Sequence, residues 1–345
     1  MEFDENQFGV LYKSEFFDDA KPEISVVLTD YIRHGYTKES LLSVINQNIS
    51  PHLYEIVMLT DDNSQSFNFV PKKIQIIVLY TKTIDIGLSY YIGLLISKAN
   101  VICPLDNDDL WFPNRLETLI RLFKEEDDLV LIKNEILPFR NRRNFILRVA
   151  YMFTMNLHFR AKGVLHIIER NSYSIFLGRP LLHNSSSMSF KKNLFLNEDL
   201  KNTLKKVIAL SDPFFFFSAL VSEGKIGYFD SPLTLYRVEN NLGPSDFKIE
   251  VGHVSKMRYQ FNVISELFEK RLMSNDKTSY AVLFKIFNIS MKIELNLKSQ
   301  ENNALSLAEI VFIIKYSLRL KSPNLMLLIS VYFLNKYLFK KIHKR

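Results

Sequence analysis

Acidic residues mark the places in this chain where side-chain chemistry is concentrated. Asp106, Asp108 and Asp109 surround a single amide, Asn107, directly after the apolar run Ile102–Leu105. Carboxylates this close repel one another and are poor candidates for a buried core. At the end of a buried strand they gain most by sharing a divalent cation, because a hard dication prefers oxygen ligands. A solvated acidic turn has the same spelling, so the surroundings of the D-x-D have to decide. Two further polar clusters, Thr29 to Arg33 and Asp61 to Ser64, also follow apolar runs. The seven histidines are scattered, and none stands at metal-ligand spacing with Cys or Glu.

Each cluster needs an element to place it. Pro22 introduces Ile24–Thr29, a β-branched run of the kind buried on both faces of a sheet. Tyr54–Thr60 and Ile74–Tyr80 are expected as the next strands, and Val101–Leu105 delivers the acids. Between them Leu41, Val44 and Ile45 share a helical face, with Thr37 as its cap. Leu88, Ile92, Leu95 and Ile96 do the same within Gly87–Ala99. After Pro113, Leu116, Leu119, Ile120 and Phe123 recur at helical spacing, which makes Asp109 a helix-start acid more than a metal ligand. Strands alternating with helices argue for a mainly parallel α/β sheet. Ligands bind such sheets beyond the carboxyl ends of the strands, so the three clusters should converge on one crevice. No G-x-G-x-x-G and no P-loop is present, which argues against a dinucleotide fold or a P-loop nucleotidase.

Five segments, in order, resemble the inverting glycosyltransferases of family 2, which have the GT-A fold. They are P-E-I-S-V-V-L-T-D-Y (22–31), Y-E-I-V-M-L-T-D-D-N-S (54–64), L-D-N-D-D-L-W-F-P-N-R-L (105–116), S-D-P-F-F-F-F-S-A-L (211–220) and Y-F-D-S-P-L-T-L-Y-R (228–237). The resemblance implies a Rossmann-like, mainly parallel sheet flanked by helices, followed by a C-terminal helical region. It implies a nucleotide-sugar donor, most readily a UDP-sugar, and a glycan or lipid-linked acceptor. Thr29 and Tyr31 would line the nucleoside pocket, and Asp62 would accept a hydrogen bond from the base. Asp106 would face the ribose and metal-bound water, and Asp108 would hold Mn2+ or Mg2+ against the diphosphate. Asp212 would be the general base, with Arg237 a diphosphate contact or a structural ion pair. His183 would be an acceptor-side residue or a hydrogen-bonded loop histidine.

Three departures from the family pattern stand out. Tyr90-Tyr91-Ile92 replaces a frequent Ala-Arg-Asn, Ser211 stands where Glu often precedes the base, and Glu239 stands where a His often follows the Y-R pair. They leave a second class open: a non-catalytic relative that binds nucleotide or glycan as a partner subunit. Phe214–Phe217 are expected on one core-facing side of a helix.

The chain of 345 residues, 47% hydrophobic, suits one large domain or two. Cys103 is the single cysteine and lies in an apolar run, so no internal disulfide forms and an inert buried thiol is expected. Residues 1–22 read as an N-terminal extension and 23–245 as the transferase domain, in which 134–180 is an enlarged basic acceptor-side segment. Residues 246–345 read as helices broken near Asn275, Asn302 and Pro323. The net charge of +7 conceals an asymmetry. Ile136–Ile168 carries six bases and no acid, and eight bases and no acid follow Glu309. Without those fourteen the charge would be −7, so the basicity sits in two apolar-interleaved stretches. Leu325–Leu334 is apolar but too short to span a bilayer. With the cations beyond it, the segment 323–345 reads equally well as an interfacial anchor, assisted by 136–168, or as a core-packing helix with a basic tail. The N-terminus lacks a basic, then apolar, leader. The expectation is a cytoplasmic protein at the inner face of the cell membrane. No recognition motif supports nucleic-acid binding.

Overall fold

The structure, a computed structural model, describes residues 8–18, 21–30, 34–82, 85–140, 163–168, 183–208, 210–238, 251–274, 278–299 and 305–319. The chain divides into two compact units, Met1–Ile168 with Leu182–Gly243, and Glu169–Leu181 with Pro244–Arg345.

The first unit is a mixed α/β layer structure. Its strands are β1 (Gly9–Lys13), β2 (Ile24–Asp30), β3 (Tyr54–Thr60), β4 (Ile76–Tyr80), β5 (Val101–Asp106), β6 (Leu110–Trp111), β7 (Leu129–Arg140), β8 (Leu165–Ile167), β9 (Met188–Lys191) and β10 (Lys225–Val238). They form one sheet in the order β1-β4-β3-β2-β5-β9-β7-β10-β6, with β8 on β10. The central block β4-β3-β2-β5 is parallel, with Ile24 opposite both Tyr54 and Val101. Strands β7 and β10 form a second parallel pair, while β1, β6, β8 and β9 join antiparallel. Every residue of β2 and β3 is buried, as expected of β-branched runs covered on both faces.

Helices α1 (Thr37–Ile45), α2 (Ile86–Ile96), α3 (Arg115–Glu125), α4 (Glu198–Leu204) and α5 (Ser211–Val221) belong to this unit. Helix α2 lies close on β2, for a Cβ added at Gly93 would stand 2.4 Å from Val27 Cγ1. Helix α3 buries Leu116, Leu119, Leu122 and Phe123 and turns Arg121 and Glu125 to solvent as an i,i+4 pair.

Three local expectations are corrected. Thr37 is the first residue of α1 and not its cap; Tyr36 precedes it without a side-chain cap, and the Thr37 hydroxyl donates instead to Asp30. Asp109 is not at a helix start, since α3 begins at Arg115 and Asp109 is buried. Phe214–Phe217 do not share one face; all four are 0% exposed. Four consecutive helical residues cover the whole circumference, so α5 is enclosed on every side.

The second unit contains α6 (Val251–Ser274), α7 (Thr278–Ser299) and α8 (Leu307–Arg319). Phe268 meets Phe284 and Phe261 meets Phe287 between α6 and α7. Ile286, Ile289, Ile293, Leu305 and Ile313 form its apolar cluster. Helix α8 opens with a reciprocal cap: Ser306 Oγ accepts from Glu309 N at 3.2 Å, and Glu309 Oε2 accepts from Ser306 N at 2.9 Å. Among the described residues no helix is long and apolar enough to cross a membrane. Residues 323–345 and most of 136–168 lie outside the described residues.

Candidate active site

The acid loop between β5 and β6 is built by sheet irregularity. Strand β9 pairs with Val101 and Ile102 of β5, so among the described residues the far half of β5 has no strand on that side. The 3-10 turn Ser185–Ser187 takes its place, and Ser186 Oγ accepts the Asp106 N–H at 3.0 Å. Asn184 enters this turn at φ 71°, a conformation costly for a residue with a Cβ and best tolerated by Gly, Asn and Asp.

This turn reaches three carboxylates. Ser185 Oγ donates to Asp106 Oδ2 at 2.6 Å. Asn184 Nδ2 donates to Asp109 Oδ2 at 2.6 Å, and Asn184 N donates to Asp212 Oδ2 at 2.9 Å. The other oxygen of Asp106 accepts from Thr29 Oγ1 at 3.2 Å and from the Tyr90 hydroxyl at 3.0 Å. Asp109 Oδ1 accepts from the Arg237 N–H at 3.0 Å. Asp212 stands in the first turn of α5, where the free N–H groups of a helix favour an anion. Asp108 is half-buried.

Burial and mutual repulsion set the charges here. Burial raises Asp106 to about 6, and the charges of Asp108 and Asp212 add to it against the Ser185 and Tyr90 hydrogen bonds. Asp109 rises to about 7, through burial and then through Asp108 and Asp106. Asp212 rises to about 6 through burial, opposed by the Asn184 N–H and the Lys133 cation. Lys133, itself buried on β7, is lowered to about 7 by burial, opposed by Asp212 and Glu135.

Asp30, fully buried at the end of β2, organises the other side. It accepts from Thr37, from Thr60 Oγ1 at 2.7 Å, from Gln65 and from Asn107 Nδ2 at 2.8 Å. The ends of β2 and β3, the start of α1 and the acid loop are thereby tied to one carboxylate. Arg237 fastens the loop from β10. Its Nε donates to the Asp108 carbonyl at 2.7 Å, its Nη2 pairs with Glu39 at 2.8 Å, and Tyr36 stacks on the guanidinium.

The structure therefore brings Thr29, Asp106, Asp108 and Asp212 to one end of the parallel block. Arg237 pairs with Glu39 and grips the acid loop, with its side chain fully buried. Asp62 follows β3, and its Oδ1 accepts from Ser64 N at 2.9 Å and Ser64 Oγ at 2.6 Å, a local turn. His183 is exposed, its ring 5.1 Å from that of Tyr236. Tyr31 lies outside the described residues. Sequence reasoning missed Asp30, Lys133, Tyr90 as a partner of Asp106, and the turn at Asn184. The polar run Asn184–Ser187 before an apolar strand was the available signal for the last of these.

Residues 25–176 match the model of the family described as glycosyl transferase family 2. A Rickettsia bellii protein described as an uncharacterized glycosyltransferase is 31% identical over 116 residues, covering 32% of this chain and 16% of that one. The glucosyl-dolichyl phosphate glucuronosyltransferase of Haloferax volcanii is 26% identical over 183 residues, covering 50% of this chain and 54% of that one. The chain thus spans about half, or less, of the length of these curated relatives. In overall fold it resembles Staphylococcus aureus TarS residues 1–349, solved in complex with UDP. That likeness has a TM-score of 0.51 at 14% identity and covers 92% of this chain and 91% of that one.

Proposed function

The chain carries a glycosyltransferase family 2 domain with a GT-A fold, and on that premise we propose that it transfers a sugar, with inversion, from a UDP-sugar to a hydroxyl of a glycan or lipid-linked acceptor. The observation that carries this reading is the turn at Asn184–Ser185, which holds the carboxylates of Asp106 and Asp212 from one piece of backbone. A carboxylate assigned to the donor side and a base assigned to the acceptor side are thereby held by one turn. The UDP bound to TarS and the glucuronosyl chemistry of the archaeal relative support the donor class.

Asp212 takes the proton of the acceptor hydroxyl as that oxygen forms its bond to the anomeric carbon. The bond from that carbon to the diphosphate oxygen breaks on the opposite face, and UDP leaves with the electron pair. Thr29 and Asp62 serve the nucleoside side, where the resemblance in sequence also assigns Tyr31. Asp106 is held by Thr29, Tyr90 and Ser185, and in this reading it meets the ribose and metal-bound water.

The donor set fits a divalent metal that is completed by substrate. Among the described residues no three His, Cys, Asp or Glu side chains could hold a metal by themselves. The half-buried Asp108 supplies hard oxygens of the kind that bind Mg2+ or Mn2+ together with phosphates and water. Such an ion would stabilise the charge that develops on the departing diphosphate.

The test is UDP release from a panel of nucleotide sugars, with and without manganese, for wild type, Asp108→Ala and Asp212→Asn. Metal-dependent turnover of one donor is expected. Asp108→Ala should lose metal-dependent binding, and Asp212→Asn should bind UDP normally but turn over about 10²–10⁴-fold more slowly. Binding without turnover in wild type would instead establish the non-catalytic reading, with Tyr91 in place of the family Arg as its first explanation.

A further inference from the structure

We infer that Lys133, acting through Ser187 and Asn184, is a positioning residue for the general base, an inference that rests on the base role of Asp212. Lys133 is 1% exposed and lies on β7, so it is sequestered from a sugar in the crevice. Its Nζ donates to Ser187 Oγ, which donates to the Asn184 carbonyl at 2.7 Å. The N–H of the same Asn184 donates to Asp212 Oδ2 at 2.9 Å. An ammonium group is thus linked to the base by a chain of hydrogen bonds that passes through one residue with a left-handed backbone.

A buried Lys is costly unless something nearby uses its charge. The groups whose charge acts on Lys133 are Asp212 on α5, Glu135 on its own strand, Arg115 on α3 and Asp109 in the acid loop, while His183 feels the Lys133 cation in turn. Glu135 also accepts from the Tyr228 hydroxyl and the Ile136 N–H, and Asp109 from Asn184 and Arg237. Burial disfavours the ionised form of Asp212, and the Asn184 N–H, its own helix-start N–H and the Lys133 cation oppose it. Among the described residues Lys133 is therefore the side-chain cation acting there, and the turn carries its geometric hold on the base.

The experiment measures kcat/KM against pH for UDP release with the donor chosen by the nucleotide-sugar panel, together with UDP affinity. Wild type, Lys133→Met, Ser187→Ala and Asp212→Asn are compared. Lys133→Met is expected to move the acidic limb upward by about one pH unit, the effect of removing a nearby opposite charge, and to leave UDP affinity unchanged. Ser187→Ala keeps the charge and breaks the link, so kcat should fall several-fold while the limb and the donor KM stay in place. A limb that does not move in Lys133→Met, with Asp212→Asn inactive, overturns the inference and leaves the base assignment intact. If Lys133→Met does not fold, unchanged kcat in Ser187→Ala overturns it equally. Full turnover in Asp212→Asn, or none in wild type, removes the base reading and the inference with it.

Discussion

Asp212 must be ionised to accept a proton, and burial holds it at about 6. The rate should therefore fall as pH drops through about 6, measured as kcat/KM for UDP release between pH 5 and 8. The same shift costs stability. Its pKa is raised from 3.8 on folding, so between 3.8 and about 6 the folded chain holds more proton than the unfolded one, and stability declines as pH rises through that window. Above it the ionised carboxylate stays buried at a penalty. Asp212→Asn carries no such charge, so its melting temperature at pH 7.5 should exceed that of wild type while its turnover collapses. A variant that melts lower would show that the Asn184 hydrogen bond to the ionised carboxylate outweighs burial. Asp30 has a structural place instead, since four donors converge on it and no substrate role is needed to explain it.

The elements that carry the site differ in how plainly their residues announce them. Strands β2 and β3 were legible because their β-branched runs are buried at every position. The acids after β5 were legible because charge directly after such a run has nowhere to go but the strand end. The turn at Asn184 was not, because its meaning depends on a gap beside β5 left by the shortness of β9, and on acids 75 and 28 residues away. Helix α5 was misread as one-sided because four phenylalanines in a row have no period to reveal enclosure. Close approach is equally silent in a sequence. At Gly93 helix propensity would favour Ala by about 1 kcal/mol. The added Cβ would instead meet fully buried Val27 at 2.4 Å, and overpacking of this kind costs about 1–3 kcal/mol. Gly93→Ala should therefore lower the urea midpoint, with α2 shifted away from β2.

At the scale of the molecule, charge and chemistry are kept in separate stretches of chain. The eleven bases of 136–168 and 323–345 stand apart from the site acids in sequence, and we propose that they hold the protein on anionic lipid. Sedimentation with phosphatidylglycerol vesicles should fall at least tenfold when 323–345 is removed, and should weaken with salt. Equal binding to neutral vesicles, or no loss on truncation, would reject that attachment. The Arg237 clasp has a temporal meaning as well. Asp108 and the arginine that grips its carbonyl are 129 residues apart, so the clasp closes only after a long loop has been ordered. During synthesis the crevice is complete only once β10 has left the ribosome and inserted beside β7. In a refolding experiment helical signal should return first, and the capacity to bind UDP should appear in the slowest phase, so that ligand binding serves as a clock for the last step of folding.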